Sequence, residues 1–163
     1  MTTVHVDVMI NSASRRLPDQ NHLEKWAMAA VTGCPKNSHR EEAEISLLIV
    51  DSEEGAELNK QWRGKEGSTN VLSFPSDLPL ELQLPLLGDL IICAPVVEKE
   101  AMEQKKSLDA HWAHMIVHGT LHLLGYDHIL DQEAEAMELL ETEILQQLGY
   151  PDPYQDINSI TVS

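Results

Sequence analysis

A chain of 163 residues with 27 acidic against 11 basic side chains, a formal net charge of −16 and two cysteines is long enough to bury one core without a disulfide or a structural metal. The acidic balance speaks against broad, sequence-indifferent coating of nucleic acid, which draws on Lys and Arg for phosphate contacts. Cys34 and Cys93 have no CxxC or zinc-ribbon spacing, no run approaches the roughly 18 apolar residues that span a bilayer, and Met1–His5 opens no basic-then-apolar leader. The expectation is a soluble, cytoplasmic protein with no membrane partner.

Taken in chain order, Val4-His5-Val6-Asp7-Val8 alternates apolar and polar residues and predicts a half-buried strand. Pro18-Asp19 opens a helix through Val31, with Leu23, Trp26, Ala27 and Ala30 at helical spacing and Gly33 closing it. Residues 44–51 carry the apolar run Leu47–Val50 and read as a central strand. Ser52 is an N-cap for a helix to about Trp62, with Glu53 and Glu54 favouring the positive end of its dipole. Residues 63–70 form a polar loop with two glycines. Val71–Phe74 is a short strand stopped by Pro75, and residues 75–87 are an irregular connection. A buried strand over 88–94 precedes Pro95, which suits the first position of a helix to about Lys106. Further helices cover about 108–124 and 131–148, the latter ending at Gly149, and a poorly ordered tail covers 151–163. This pattern predicts an α+β fold, an α/β sandwich in a single domain over 1–150. A mixed sheet of about four strands packs with about five helices, and helix 108–124 lies deep because Val117, Leu121 and Leu124 form an apolar stripe that Met115, Ile116 and Leu123 widen.

That deep helix also carries His111, His114, His118 and His122, at spacings of 3, 4 and 4, with His128 beyond it. The four fall within one stripe, and burying so many imidazoles is unfavourable unless each finds a partner. Two histidines four apart lie about 6 Å apart along a helix axis and can converge on one ion, whereas i and i+8 lie about 12 Å apart and cannot. A third ligand must come from chain that has left the helix and turned back. Gly125 supplies the residue for such a turn, just past the last helical position. His118 and His122 then form the helical pair and His128 the third ligand. Three protein nitrogens and an open position mark a catalytic rather than a structural zinc site. Imidazole nitrogens suit zinc, and also nickel or another divalent metal.

The spacing equals that of the metzincin peptidase pattern H-E-x-x-H-x-x-G-x-x-H, but Gly119 stands where that pattern has its general-base glutamate. The metal is supported and proteolysis is not. His118–His128, HGTLHLLGYDH, resembles the signature H-G-x-L-H-L-x-G-Y-D-H of the YbeY endoribonucleases, or rRNA maturation factors. Three other segments resemble that family in the right order: Asn59-Lys60-Gln61-Trp62-Arg63-Gly64 its Asn-x-x-x-Arg-Gly, Thr69–Pro75 its T-[DN]-V-L-S-F-P, and Gly88-Asp89-Leu90 its G-D-[IL] strand.

The resemblance implies a metal-dependent endoribonuclease domain directed at single strands. It implies action in ribosomal RNA maturation at the 3′ end of the small-subunit RNA and in ribosome quality control, with one zinc ion on His118, His122 and His128 and no nucleotide cofactor. Arg63 matches the family's arginine near the metal; its planar guanidinium suits a bidentate grip on phosphate. His114 and Asp127 are candidates for orienting groups behind the ligands, and His111 is expected to be structural or exposed. Trp26, Trp62 and Trp112 are expected in the core. The alternatives are a zinc metallopeptidase-like hydrolase and a non-catalytic ribosome assembly factor with a structural metal. A charge of −16 also points to a ribosomal protein partner beside the RNA.

Overall fold

In the computed structural model, which describes residues 3–34, 41–63, 70–76, 85–126 and 131–153, four strands form one mixed sheet. They are β1 (Thr3–Asn11), β2 (Glu42–Val50), β3 (Val71–Pro75) and β4 (Leu86–Cys93), in the order β1-β2-β4-β3. β1 and β4 run parallel to β2, and β3 closes the far edge antiparallel to β4. Five helices accompany it among the described residues: α1 (Gln20–Gly33), α2 (Ser52–Arg63), α3 (Ala94–Glu103), α4 (Leu108–Leu123) and α5 (Asp131–Gln147). The single-domain α+β expectation holds. No helix among the described residues is long and apolar enough to cross a membrane.

Several boundaries differ from the sequence reading, each for a local reason. β1 extends past Val8 to Asn11 because its register with β2 continues as far as Asn11 opposite Val50. Its added residues Met9 and Ile10 are exposed at the sheet edge, so alternation could not reveal them. Asp51, not Ser52, precedes the first turn of α2: its carbonyl accepts from Gly55 N at 2.9 Å, and Ser52 is already helical. The Asp51 carboxylate instead takes the Ser12 hydroxyl and the Ala13 amide, and these two bonds hold its pKa below the usual value. α3 stops at Glu103 rather than Lys106. Lys105 takes the left-handed conformation with φ 55°, and Lys106 N reaches back to Ala101 O at 2.9 Å, a helix-ending pattern that glycine more often supplies.

β4 begins two residues earlier than expected, at Leu86. Glu44 sits opposite Leu86 and Ile45 opposite Gly88, so β4 carries one extra residue there, a bulge in the sense of two residues opposing one. Gly88 absorbs the distortion at φ 147°. A Cβ on it would lie 2.3 Å from the Phe74 carbonyl oxygen and 2.9 Å from Leu123 Cδ2.

Strand alternation puts Val71, Gly88, Leu90 and Ile92 on the face that α4 covers. α4 is buried on almost every side, by the sheet, α1 and α5. Trp26 on α1 and Trp112 on α4 are fully buried, as expected. Trp62 is not: it is 60% exposed and stands edge-on to Phe74, ring centroids 5.8 Å apart, on the opposite face of the sheet. Gly119 packs α4 directly against the sheet. A Cβ there would lie 2.8 Å from Leu90 Cδ2 and 3.4 Å from Val71 Cγ2.

Because the obstacle at Gly88 is backbone and the φ is unfavourable for other residues, Gly88→Ala is expected to destabilise the protein by about 2–4 kcal/mol. Urea unfolding of the two proteins checks this; equal midpoints would show that the bulge relaxes freely.

Candidate metal centre

Ser107 precedes α4, and its hydroxyl accepts from Ala110 N at 3.1 Å, a side-chain cap that satisfies one of the helix's open amides. Past the cap the histidines rise along one stripe. His111 and His114 are buried, while His118 and His122 are partly open. At the far end, Gly125 N bonds His122 O at 3.0 Å and Tyr126 N bonds Leu121 O at 3.1 Å, with Gly125 at φ 105°. This pair of bonds is the Schellman closure. The left-handed helix end expected at Gly125 is therefore present; the return of the chain to His128 lies outside the described residues.

The same closure orients a ring. It leaves the Tyr126 carbonyl 2.9 Å from His122 Nδ1. A carbonyl can only accept, so Nδ1 carries the proton and Nε2 of His122 presents a lone pair. His118 is oriented from the other side, by Glu141 on α5: His118 Nδ1 donates to Glu141 Oε1. The second oxygen of that carboxylate, Oε2, accepts from His114 Nε2 at 3.2 Å.

Glu141 is wholly buried. Burial by itself would raise its pKa, but the hydrogen bonds from His114 and His118 override this and hold the carboxyl at about 2. His114 is shifted the other way: burial lowers its pKa more than Glu141 raises it. The pair is thus an ionised carboxylate accepting from a neutral imidazole. Lys106 stands in the same field, lowered by burial and raised by Glu100, Asp152 and Glu141.

With both Nδ1 atoms donating, the Nε2 atoms of His118 and His122 face one another at 3.1 Å. Two imidazole lone pairs at that distance repel unless a cation lies between them. Two ligands of a tetrahedral zinc, at the usual Zn–N length, are about 3.3 Å apart. The donor set therefore fits a divalent metal, and the oxygen acceptors behind each ring are the partners that metal-binding histidines ordinarily have. A second grouping shares one of these residues. Among the described residues, His114, His118 and Glu141 each place one ligand atom within 4.8 Å of the others and could themselves hold an ion. There, however, the carboxylate and both nitrogens are already joined by hydrogen bonds in a buried setting.

The sequence-derived residues divide accordingly. His118 and His122 are brought together. His114 lies behind His118, joined to it through Glu141. His111 is structural rather than exposed: its Nε2 meets Glu100 Oε1 at 2.9 Å. Arg63 is the last residue of α2, and its side chain lies outside the description, as do His128 and Asp127. Gly119 faces the sheet, so the position of the peptidase glutamate points here at Leu90 and Val71.

Glu141 was not anticipated from sequence. The available signal was a glutamate in line with Met137, Ile144 and Leu145, the residues that α5 buries.

The chain is similar to known proteins in sequence and in fold. The sequence model of the family described as "Endoribonuclease YbeY" matches residues 8–149. A protein of Cellvibrio japonicus (strain Ueda107) named Endoribonuclease YbeY is 54% identical over 156 residues, covering 96% of this chain and 86% of the relative. The solution structure of TM1509 from Thermotoga maritima shares the fold, with TM-score 0.54 and 22% identity over 91% of this chain and 99% of its own. A match running from within β1 to just past α5, and a relative similar over nearly its whole length, lead to one assignment: the chain belongs to the YbeY endoribonuclease family.

Proposed function

We propose that this protein is a metal-dependent endoribonuclease that cleaves single-stranded RNA. Its role in the cytoplasm is maturation of ribosomal RNA, at the 3′ end of the small-subunit RNA, and ribosome quality control. The observation that carries the reading is the convergence of His118 Nε2 and His122 Nε2 at 3.1 Å in a chain of an endoribonuclease family.

His118, His122 and His128 would hold one divalent ion, zinc by the chemistry of its donors, with nickel also suited. Such an ion supplies a Lewis acid for a phosphodiester and lowers the pKa of water. The chain's own groups do the positioning. Glu141 and the Tyr126 carbonyl keep the two imidazoles in the tautomer that offers Nε2. Arg63 grips non-bridging phosphate oxygens, for which a planar guanidinium is suited. The packing of Gly119 against Leu90 counts against the peptidase reading, since a glutamate there would enter the core. A net charge of −16 is poorly suited to finding RNA unaided, so ribosomal proteins contribute to recognition. Assembled small subunits are expected to be cut faster than naked rRNA at matched salt.

The zinc-loaded protein is expected to cleave a single-stranded oligoribonucleotide and to lose that activity on chelation and in His118→Ala. Arg63→Ala should keep its zinc yet cut about 10²–10³-fold more slowly, the scale of a lost charge-stabilising group. Cleavage that survives metal removal, or an Arg63→Ala protein as fast as wild type, contradicts the proposal. A folded, ribosome-binding protein that cuts no RNA would favour the assembly-factor alternative.

Glu141→Gln separates an orienting role from a ligating one. As an orienting group its loss should weaken zinc affinity about 10–100-fold while one ion still binds at saturation. A drop in stoichiometry would mean that the ion sits on His114, His118 and Glu141 instead.

A further inference from the structure

Trp62 is the exception among the tryptophans. Trp26 and Trp112 are fully buried, whereas Trp62, in the last turn of α2, is 60% exposed. Its ring stands edge-on to that of Phe74, with centroids 5.8 Å apart and planes at 70°. Phe74 is itself only partly buried, on the sheet face that α4 does not cover. An indole so exposed, supported by one neighbouring ring, keeps a π-face open to solvent. A single exposed apolar side chain needs no explanation. An exposed aromatic pair beside basic residues is the arrangement that takes unpaired bases.

The pair lies at the same corner of the sheet as the metal helix. Phe74 is near the C-terminal end of β3, the edge strand. A Cβ placed on Gly88 would meet both the Phe74 carbonyl oxygen, at 2.3 Å, and Leu123 Cδ2, at 2.9 Å. The Phe74 backbone and the residue after His122 therefore adjoin, and the thickness of one short edge strand separates the two rings from the histidine-bearing end of α4. In sequence, Trp62 stands between the exposed Lys60 and Arg63, with Lys65 beyond, which places three of the chain's 11 basic residues next to it. Such residues draw phosphates. Asp89, exposed and opposite Phe74 in the ladder, disfavours a phosphate on the rings themselves and leaves a base as the group that meets them.

We propose that Trp62, backed by Phe74, is a stacking platform that takes one unpaired base of single-stranded RNA as the strand runs round the β3 edge to the metal centre. This rests on the reading of RNA as the substrate. Every base has a π-face, so stacking tolerates any sequence. It does require a base free of the stack of a duplex, and the platform thus gives the single-strand preference a physical basis.

Trp62 is the one exposed tryptophan of three, so intrinsic fluorescence reports on it. The test uses full-length, zinc-loaded protein and a short oligoadenylate with 2′-O-methyl groups, single-stranded or annealed to its complement. The single strand is expected to quench the emission saturably and the duplex to leave it unchanged. By anisotropy of the labelled single strand, Trp62→Leu, which keeps an apolar side chain but no π-face, should bind about 5–150-fold more weakly, the range of one base–aromatic stack. Trp62→Tyr should be largely spared. On a cleavable oligoribonucleotide Trp62→Leu should raise KM by a similar factor with kcat nearly unchanged, the signature of lost binding that is equal in ground and transition states. Zinc stoichiometry should not change.

No quenching by the single strand, equal quenching by the duplex, or a Trp62→Leu protein that binds the single strand as tightly as wild type would overturn the proposal. If the wild-type protein cleaves no RNA, the functional reading fails, while the quenching and its dependence on strandedness still decide whether the platform exists. Cleavage without quenching removes the platform alone.

Discussion

Everything at this site depends on a carboxylate that ought to be unstable. Glu141 is fully buried, and an ionised carboxylate out of water is unfavourable by several kcal/mol unless its oxygens are paired. Both are paired, one with His114 and one with His118. The pairing runs in both directions. The histidines keep Glu141 charged, and Glu141 keeps the proton of His118 on Nδ1, which turns Nε2 toward His122. A neutral group at the same place could not hold both rings so firmly, because charge-assisted hydrogen bonds are about twice as strong as neutral ones. α5 therefore contributes more than a cover for the core: it sets the tautomer of a residue on another helix.

The partner ring is set by backbone. Once α4 ends at Gly125, the Tyr126 carbonyl lies against His122 Nδ1, so the device that stops the helix also orients the last histidine on it. Two glycines let this helix sit where it does. Gly119 allows α4 to close on Leu90 and Val71, and Gly88 allows β4 to bulge beneath Leu123. Both bring the histidine-bearing end of α4 down onto the sheet edge that β3 forms. Packing, helix termination and the orientation of the two histidines are one structural solution here, and the absence of a glutamate after His118 belongs to it.

How much of this was legible in the sequence follows from what is local. Helical spacing in α1 and α4, the apolar runs in β2 and β4, and the turn at Gly125 are decided within a few residues, and the chain shows them. The histidine pair was legible for the same reason, since positions i and i+4 on a helix must adjoin. Ends set by distant partners were not. β1 runs on to Asn11 because β2 is there to pair with it, and β4 starts at Leu86 because of a bulge against β2. Trp62 read as core by residue type, yet its helix leaves it exposed. Glu141 was hidden in an acidic stretch where Glu135, Glu138 and Glu143 are ordinary neighbours. Only its alignment with Met137, Ile144 and Leu145 sets it apart, and nothing local says which distant histidines it will meet.

The most direct measurement is anomalous diffraction at the zinc edge from crystals of the zinc-loaded protein. One strong peak is expected between His118 Nε2 and His122 Nε2, with Glu141 still bonded to His118 Nδ1 behind it. A peak among His114, His118 Nδ1 and Glu141, or none near either group, would contradict it.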